Sequence, residues 1–124
     1  MNIALWIVAG IAAAAFLAAG LMKITGKREQ LLERMAWVAD YSQTQVKVIG
    51  VVEVLGALGL ILPAVTGIAP ILVPVAATGL VIVMVLAAAM HLRRGDGFAA
   101  VVPNIVLGLM AAFVAWGRFG AYAF

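Results

Sequence analysis

Four long runs of apolar residues dominate the chain. The runs cover residues 3–22, 46–62, 71–90 and 99–116. A helix needs about 20 residues to cross the hydrocarbon core of a membrane, which is about 30 Å thick. The pattern therefore predicts an all-α fold, an integral membrane four-helix bundle with up-and-down connections that forms one membrane domain over residues 1–124.

Prolines mark several of the predicted boundaries. The second run ends at Pro63, and Pro70 and Pro74 suit the flank or first turn of the third helix. Pro103 suits the first turn of the fourth, where its missing N–H costs nothing. The first run has no basic segment before it and is longer than the apolar part of a signal peptide, so it is expected to be a helix rather than a cleaved leader.

The composition points to a membrane and away from nucleic acid. Of the 124 residues, 67% are hydrophobic and 10% are charged, whereas a soluble domain carries about 25% charged residues. The net charge of +3 rests on eight Lys and Arg residues, which are better interpreted as signals of membrane topology. The expected partners are membrane lipids, a membrane protein or further copies of the chain.

The residue types limit the chemistry. The chain has no cysteine and one histidine, which excludes disulfides, thiol redox reactions and cysteine-type zinc sites. No nucleophile–base pair, glycine-rich phosphate loop or metal-spaced cluster occurs in the sequence. We therefore predict no catalytic residues, no metal site and no cofactor beyond a bound quinone or lipid, and an enzyme is the less favoured class.

The one long connection, residues 23–45, is predicted to contain a short amphipathic helix between the first two spans. From Arg28 to Ala39, apolar side chains recur on one side, and Trp37 is expected to anchor at the membrane interface. A helix that simply caps the bundle fits the same pattern. Asp40 and Ser42 are candidate caps for the second span.

The basic residues predict the orientation. Loops 23–45 and 91–98 share one side of a four-span bundle, and the termini share the other. Discounting Lys23 and Lys47, which can be buried, leaves five basic residues on the loop side against Arg118 alone on the other. The positive-inside rule then places both loops in the cytoplasm and both termini outside, in a plasma membrane or a bacterial inner membrane.

Glu53 is the most informative polar residue, because it lies inside the second apolar run. A carboxylate there costs roughly 2.5–3.5 kcal/mol on insertion scales and persists only with a partner. In an up-and-down bundle, Lys23, Glu53, His91 and Asn104 all fall toward the loop end of their helices. We predict a buried polar cluster of these four residues, with Lys23 as the partner of Glu53.

Small residues share the helix faces of this cluster. Gly20 lies on the face of Lys23, Gly50 and Gly56 flank Glu53, and Gly108 follows Asn104 at helical spacing. Because small side chains let helices approach closely in a bilayer, these glycines are predicted packing contacts.

Two interpretations of the cluster stay open. In one, Lys23 and Glu53 form a salt bridge that specifies packing and register. In the other, the cluster is a proton site or the polar floor of an apolar pocket. His91 on its own suits an interfacial position, and Arg118 suits a headgroup anchor.

These residues carry a resemblance to a known family. GLMKITG (residues 20–26) and IGVVEVLGALGLILP (residues 49–63) resemble two signatures of DoxX-like membrane proteins. HLRRGDG and the residues near VPN are similar to that family more weakly. The resemblance covers the whole chain and assigns Lys23, Gly50, Glu53 and Gly56 to the family's motif positions. The superfamily also includes the receptor-assembly chaperone NACHO.

The resemblance implies a four-helix membrane bundle and leaves the activity open. Some relatives are linked to quinone-coupled sulfur oxidation and others to the assembly of partner proteins. The favoured function is a membrane accessory or scaffold protein, acting through partners or self-association. The alternative is a binder of quinone or lipid, including the membrane subunit of a quinone-linked oxidoreductase, in which a partner or the quinone would carry the electrons.

Overall fold

The computed structural model describes all 124 residues and contains only helices. The order is α1 (Asn2–Thr25), α2 (Arg28–Arg34), a 3₁₀ helix (Ala36–Asp40), α3 (Gln43–Thr66), α4 (Leu72–Arg94) and α5 (Phe98–Phe119). By length and composition, α1, α3, α4 and α5 can each cross a membrane. They confirm the predicted all-α four-helix membrane bundle.

The four long helices pack in chain order around a narrow core. The α1–α3 and α4–α5 pairs share the largest interfaces, α3 packs on α4, and α1 closes the ring with a smaller interface to α5. Large apolar side chains such as Ile3, Leu55 and Val85 are exposed on the outside, as expected of lipid-facing positions. The core consists of Ala9, Ala12, Phe16, Ala57, Leu60, Val73, Ala77, Leu80, Met84, Ala111 and Val114.

The spans are longer than predicted, and two prolines lie inside helices. Helix α3 continues past Pro63 to Thr66 and ends at Gly67, whose φ of 72° is a left-handed helix stop. Helix α5 begins at Phe98, so Pro103 lies beyond its first turn. Interior prolines are tolerated in membrane helices, because surrounding groups satisfy the backbone that they free. The prediction that the second span ends at Pro63 is therefore wrong.

The predicted amphipathic helix is divided in two. Helix α2 ends at Arg34, Met35 has a non-helical backbone with φ −132° and ψ 89°, and the 3₁₀ helix comes next. Leu31, Trp37 and Val38 are buried together with Val46 of α3. The segment therefore caps the loop end of the bundle, and Trp37, only 7% exposed, is a core residue rather than an interfacial anchor.

Ser42 caps helix α3. Its hydroxyl accepts from the Gln45 backbone N–H, and the Gln45 side chain accepts from the Ser42 N–H, which is a complete capping box. The other candidate cap, Asp40, bonds to Arg94 instead.

Candidate functional site

The ion pair between Lys23 and Glu53 joins α1 to α3. The Lys23 ammonium donates a hydrogen bond to Glu53 Oε1, and Glu53 is 2% exposed. Lys23 lies in the last turn of α1, where a cation interacts favourably with the helix dipole. Both charges are thus neutralised within the chain, as a buried pair requires.

Gly20 and Gly50 bring α1 and α3 close enough for Lys23 to reach Glu53. A methyl group added at Gly20 would lie 2.6 Å from the Gly50 carbonyl oxygen, and one added at Gly50 would lie 2.6 Å from the Gly20 carbonyl oxygen. The backbones of α1 and α3 are therefore in direct contact. The added methyl at Gly50 would also lie 2.9 Å from Lys23 Cβ, so the absent side chain leaves the path along which Lys23 passes toward Glu53.

The other predicted packing glycines also face a neighbouring helix. A methyl group at Gly56 would lie 2.5 Å from the side chain of Leu80, and one at Gly108 would lie 3.3 Å from Met84 Cβ. Gly56 therefore sets the spacing between α3 and α4, and Gly108 lies close to α4 with less constraint.

Trp37 covers the ion pair on the loop side. The Lys23 ammonium lies 5.8 Å from the centre of the Trp37 ring, within the range of a cation–π interaction. Tyr41 packs edge-on against the same ring at 5.6 Å. The capping segment thus separates the pair from the surface while providing a second favourable contact for the ammonium.

His91 and Asn104 do not join this pair. His91 Nδ1 is 2.8 Å from Asp96 Oδ2, and the Asn104 amide donates to the Ala100 carbonyl of its own helix at 3.4 Å. Each has a partner close in sequence, and local bonds of this kind compete well with distant ones. The four residues of the predicted cluster therefore lie in three separate arrangements, and only Lys23 binds Glu53.

A second polar network ties the capping segment to the turn between α4 and α5. Arg94 donates from Nε to Asp96 Oδ2 at 3.0 Å and from Nη1 to Asp40. The hydrogen bond from His91, with the nearby Arg94, lowers the pKa of Asp96 below its usual value. This network was not predicted from the sequence. The position of Asp96 within HLRRGDG, close to His91 and Arg94, was a signal for the bonds among these three residues, but nothing signalled the bond to Asp40.

The opposite end of the bundle contains a single charged side chain, Arg118. It is only 4% exposed, so its side chain is enclosed by protein rather than extended among the headgroups. Its Nη1 donates to Asn2 Oδ1 at 2.7 Å and to the Tyr122 carbonyl at 2.9 Å. The turn after α5 folds back over the guanidinium and produces this burial.

Two apolar grooves open on the outer surface, each with a volume of about 220 Å³. Neither is lined by Glu53. The groove between α3 and α4 is lined by Val52, Leu55, Gly56, Ala76, Gly79 and Leu80. The groove between α1 and α3, which we call the α1–α3 groove, is lined by Ala13, Ala14, Leu17, Ala57, Leu58, Ile61 and Leu62.

Comparison with known proteins agrees with this arrangement. Searches of curated proteins and of solved structures gave no match. The family model described as the DoxX-like family matches residues 7–114, which include both members of the buried ion pair and most of each long helix. The chain therefore belongs to the DoxX-like family.

Proposed function

We propose that this protein is a small membrane accessory or scaffold protein that acts by associating with partner membrane proteins or with further copies of itself. The observation that carries the proposal is the pairing of Glu53, the one acid within the long helices, with Lys23. A carboxylate that handled protons or substrate would need access to them, whereas Glu53 is 2% exposed. Its role is to hold α1 on α3, which leaves function to the outer surface.

The α1–α3 groove is a surface suited to another helix. Its lining includes Ala13, Ala14 and Ala57 beside larger aliphatic side chains. In a bilayer, helices associate by close packing, and small residues permit that approach. The groove also lies along the helix pair that the ion pair joins, so it offers a rigid surface to a partner.

Photo-cross-linking in native membranes tests this proposal. The chain has no cysteine, so Ala14→Cys places a unique thiol in the groove and Val85→Cys, at a position 62% exposed on α4, is the matched control. Each is labelled with benzophenone maleimide and irradiated. We expect a discrete protein adduct from position 14 only, whose mass tells a second copy from a partner.

Two results would contradict it. If neither position gives a protein adduct, the groove faces lipid alone. If both give the same mixture of adducts, the contacts are random collisions in the membrane rather than an interface.

A second candidate function is the binding of a quinone or a lipid, with the protein acting as a membrane subunit of a quinone-linked oxidoreductase. The wholly hydrophobic lining of the α1–α3 groove favours an isoprenoid or acyl tail, but a quinone ring also needs a polar group to orient it. Mass spectrometry of the protein extracted with its lipids in polymer discs distinguishes the two. Quinone at one molecule per chain would favour this second function.

For the orientation we propose cytoplasmic loops at residues 23–45 and 91–98, with both termini outside, from the distribution of basic residues. Glu29→Cys and Ile68→Cys place thiols at exposed positions of opposite ends. In intact cells, a membrane-impermeant maleimide should label position 68 and should reach position 29 only after permeabilisation. The reverse pattern would invert the orientation and leave the bundle unchanged.

A further inference from the structure

Arg118 is buried with incomplete hydrogen bonding. Its two hydrogen bonds, to Asn2 Oδ1 and to the Tyr122 carbonyl, both come from Nη1 and both reach neutral acceptors. The other terminal nitrogen, Nη2, is buried and has no partner. A buried donor left unsatisfied costs free energy that a bound acceptor would recover.

The charge of Arg118 is also unbalanced. Four of the five acids, Glu29, Glu33, Asp40 and Asp96, lie at the opposite end of the bundle, and the fifth, Glu53, is paired with Lys23. A guanidinium removed from water without an opposite charge is costly. None of the acidic side chains therefore balances the charge of Arg118.

Aromatic side chains place Arg118 at the depth of the membrane interface. Its Cζ lies 3.9 Å from the centre of the Phe124 ring and 5.7 Å from that of Trp6. Trp116 and Tyr122 are exposed beside them. Such belts occur where a membrane helix meets the headgroups, so the nearest abundant anion is a lipid phosphate.

We propose that Arg118 is the anchor of a binding site for the phosphate of an anionic phospholipid headgroup. The planar guanidinium can donate two parallel hydrogen bonds to a phosphate, which are stronger than bonds to neutral acceptors. Phosphate takes the place of the Tyr122 carbonyl on Nη1 and provides the first acceptor for Nη2.

The turn at residues 120–124 is the cover of this site. It is attached through the Tyr122 carbonyl, through the contact of the Phe124 ring with Arg118, and through two backbone bonds. These run from Gly120 N–H to the Trp116 carbonyl at 3.2 Å and from Tyr122 N–H to the Gly117 carbonyl at 3.1 Å. All five of its residues are exposed. The cover can therefore move aside without disturbing the helix core.

Thermal unfolding with added lipid tests the proposal. The protein in mild detergent at low salt is titrated with phosphatidylglycerol, with phosphatidylcholine and with inorganic phosphate. We expect phosphatidylglycerol to raise the Tm of the wild type by about 5 °C at ten times its dissociation constant. Arg118→Gln should abolish the rise, and Arg118→Lys, which lacks the planar fork, should reduce it by more than half.

Arg93→Gln is the matched control, because it removes an exposed basic residue at the opposite end and should keep the full rise. An unchanged rise in Arg118→Gln would overturn the proposal. An equal rise with inorganic phosphate would show a site for the free ion instead of a lipid. An equal rise with phosphatidylcholine would show that the negative headgroup is not recognised, which also overturns it.

A measurement on the wild type keeps the test valid if the variants fail to fold. A phosphatidylglycerol analogue with a photoreactive headgroup is incorporated in nanodiscs with the protein and irradiated. Adducts concentrated in residues 1–10 and 116–124 support the site. Adducts concentrated at the basic loops of residues 23–47 and 91–98, or spread over both ends, overturn it.

Discussion

The two ends of the bundle differ in whether a buried charged side chain has a partner of opposite charge. At the loop end, the ammonium of Lys23 donates to Glu53, so a cation and an anion from neighbouring helices neutralise each other. At the terminal end, Arg118 is similarly buried, yet both of its acceptors are neutral and one nitrogen has none. One end is electrostatically closed within the chain, and the other is open to an external anion.

This difference suggests that the loop end specifies how the helices pack and that the terminal end binds a ligand. A buried pair of opposite charge contributes little net stability compared with apolar packing, but losing one member is expensive. The Lys23–Glu53 pair is therefore suited to specifying how α1 meets α3. A buried cation with unused donors gains from any anion that reaches it, so the terminal end is the better candidate for recognition.

The largest expected effect comes from breaking the closed end. Glu53→Ala and Lys23→Ala each leave one charge buried without its partner, which costs about 3–5 kcal/mol. The double variant removes both charges and should recover part of the loss. Thermal unfolding of the four proteins in one detergent measures the coupling.

Arg118→Gln, in lipid-free detergent, provides the contrast from the open end. It leaves no opposite charge behind, so its loss of stability should be smaller than that of either single variant. If the losses of Glu53→Ala and Lys23→Ala simply add in the double variant, the two charges are not coupled and the closed end is not as described.

A smaller effect is expected from the helix contact beside the pair. Gly50→Ala brings a methyl group to 2.6 Å from the Gly20 carbonyl oxygen, and this overpacking should cost about 1–3 kcal/mol because the backbone of a whole helix must move. At the other end, a methyl group at Gly117 meets the side chain of Leu5 rather than a backbone atom, at 2.5 Å from Cδ2. Gly117→Ala should therefore be the milder change when the variants are compared by thermal unfolding.

Gly10→Ala is the control for this comparison, because nothing lies within 4 Å of an added methyl there. It should leave stability unchanged or raise it by up to about 1 kcal/mol, since alanine favours a helix over glycine. Equal losses in Gly50→Ala and Gly10→Ala would show that α1 and α3 do not depend on close backbone contact.

Local hydropathy and the cost of charge in a membrane made part of the structure predictable from the sequence. Each apolar run is long enough to cross, which indicated four spans, and a lone carboxylate cannot persist there, which indicated the Lys23–Glu53 pair. Neither consideration could indicate the bond between Arg94 and Asp40, which are 54 residues apart. The burial of Arg118 depends on how the turn after α5 folds back, and the periodicity of α5 carries no information about that turn.

The two misjudged segments have a similar explanation. Pro63 is a helix stop in water, but the need to satisfy backbone groups in lipid favours continued helix up to Gly67. The amphipathic pattern of residues 28–39 predicted one helix, either lying on the membrane or capping the bundle. The segment does cap the bundle, but the burial of Trp37 and Val38 favours a break at Met35.

The smallest expected effect concerns the half-buried network of His91, Arg94 and Asp96 at the loop end, through Asp96. Its pKa is lowered first by the hydrogen bond from His91 and then by that from Arg94, so the unfolded chain binds a proton more readily than the folded one. The stabilisation is therefore complete above the ordinary pKa of the group, 3.8, and is lost as the pH falls through the lower folded value. Asp96→Asn should be slightly less stable than the wild type at neutral pH, and the difference should shrink as the pH falls below 3.8, which thermal unfolding over a series of pH values from neutral to acid measures. Parallel curves for the two proteins across these pH values would mean that the hydrogen bonds of Asp96 to His91 and Arg94 do not stabilise the fold, and the link from the turn to the capping segment would then rest on the Arg94–Asp40 bond.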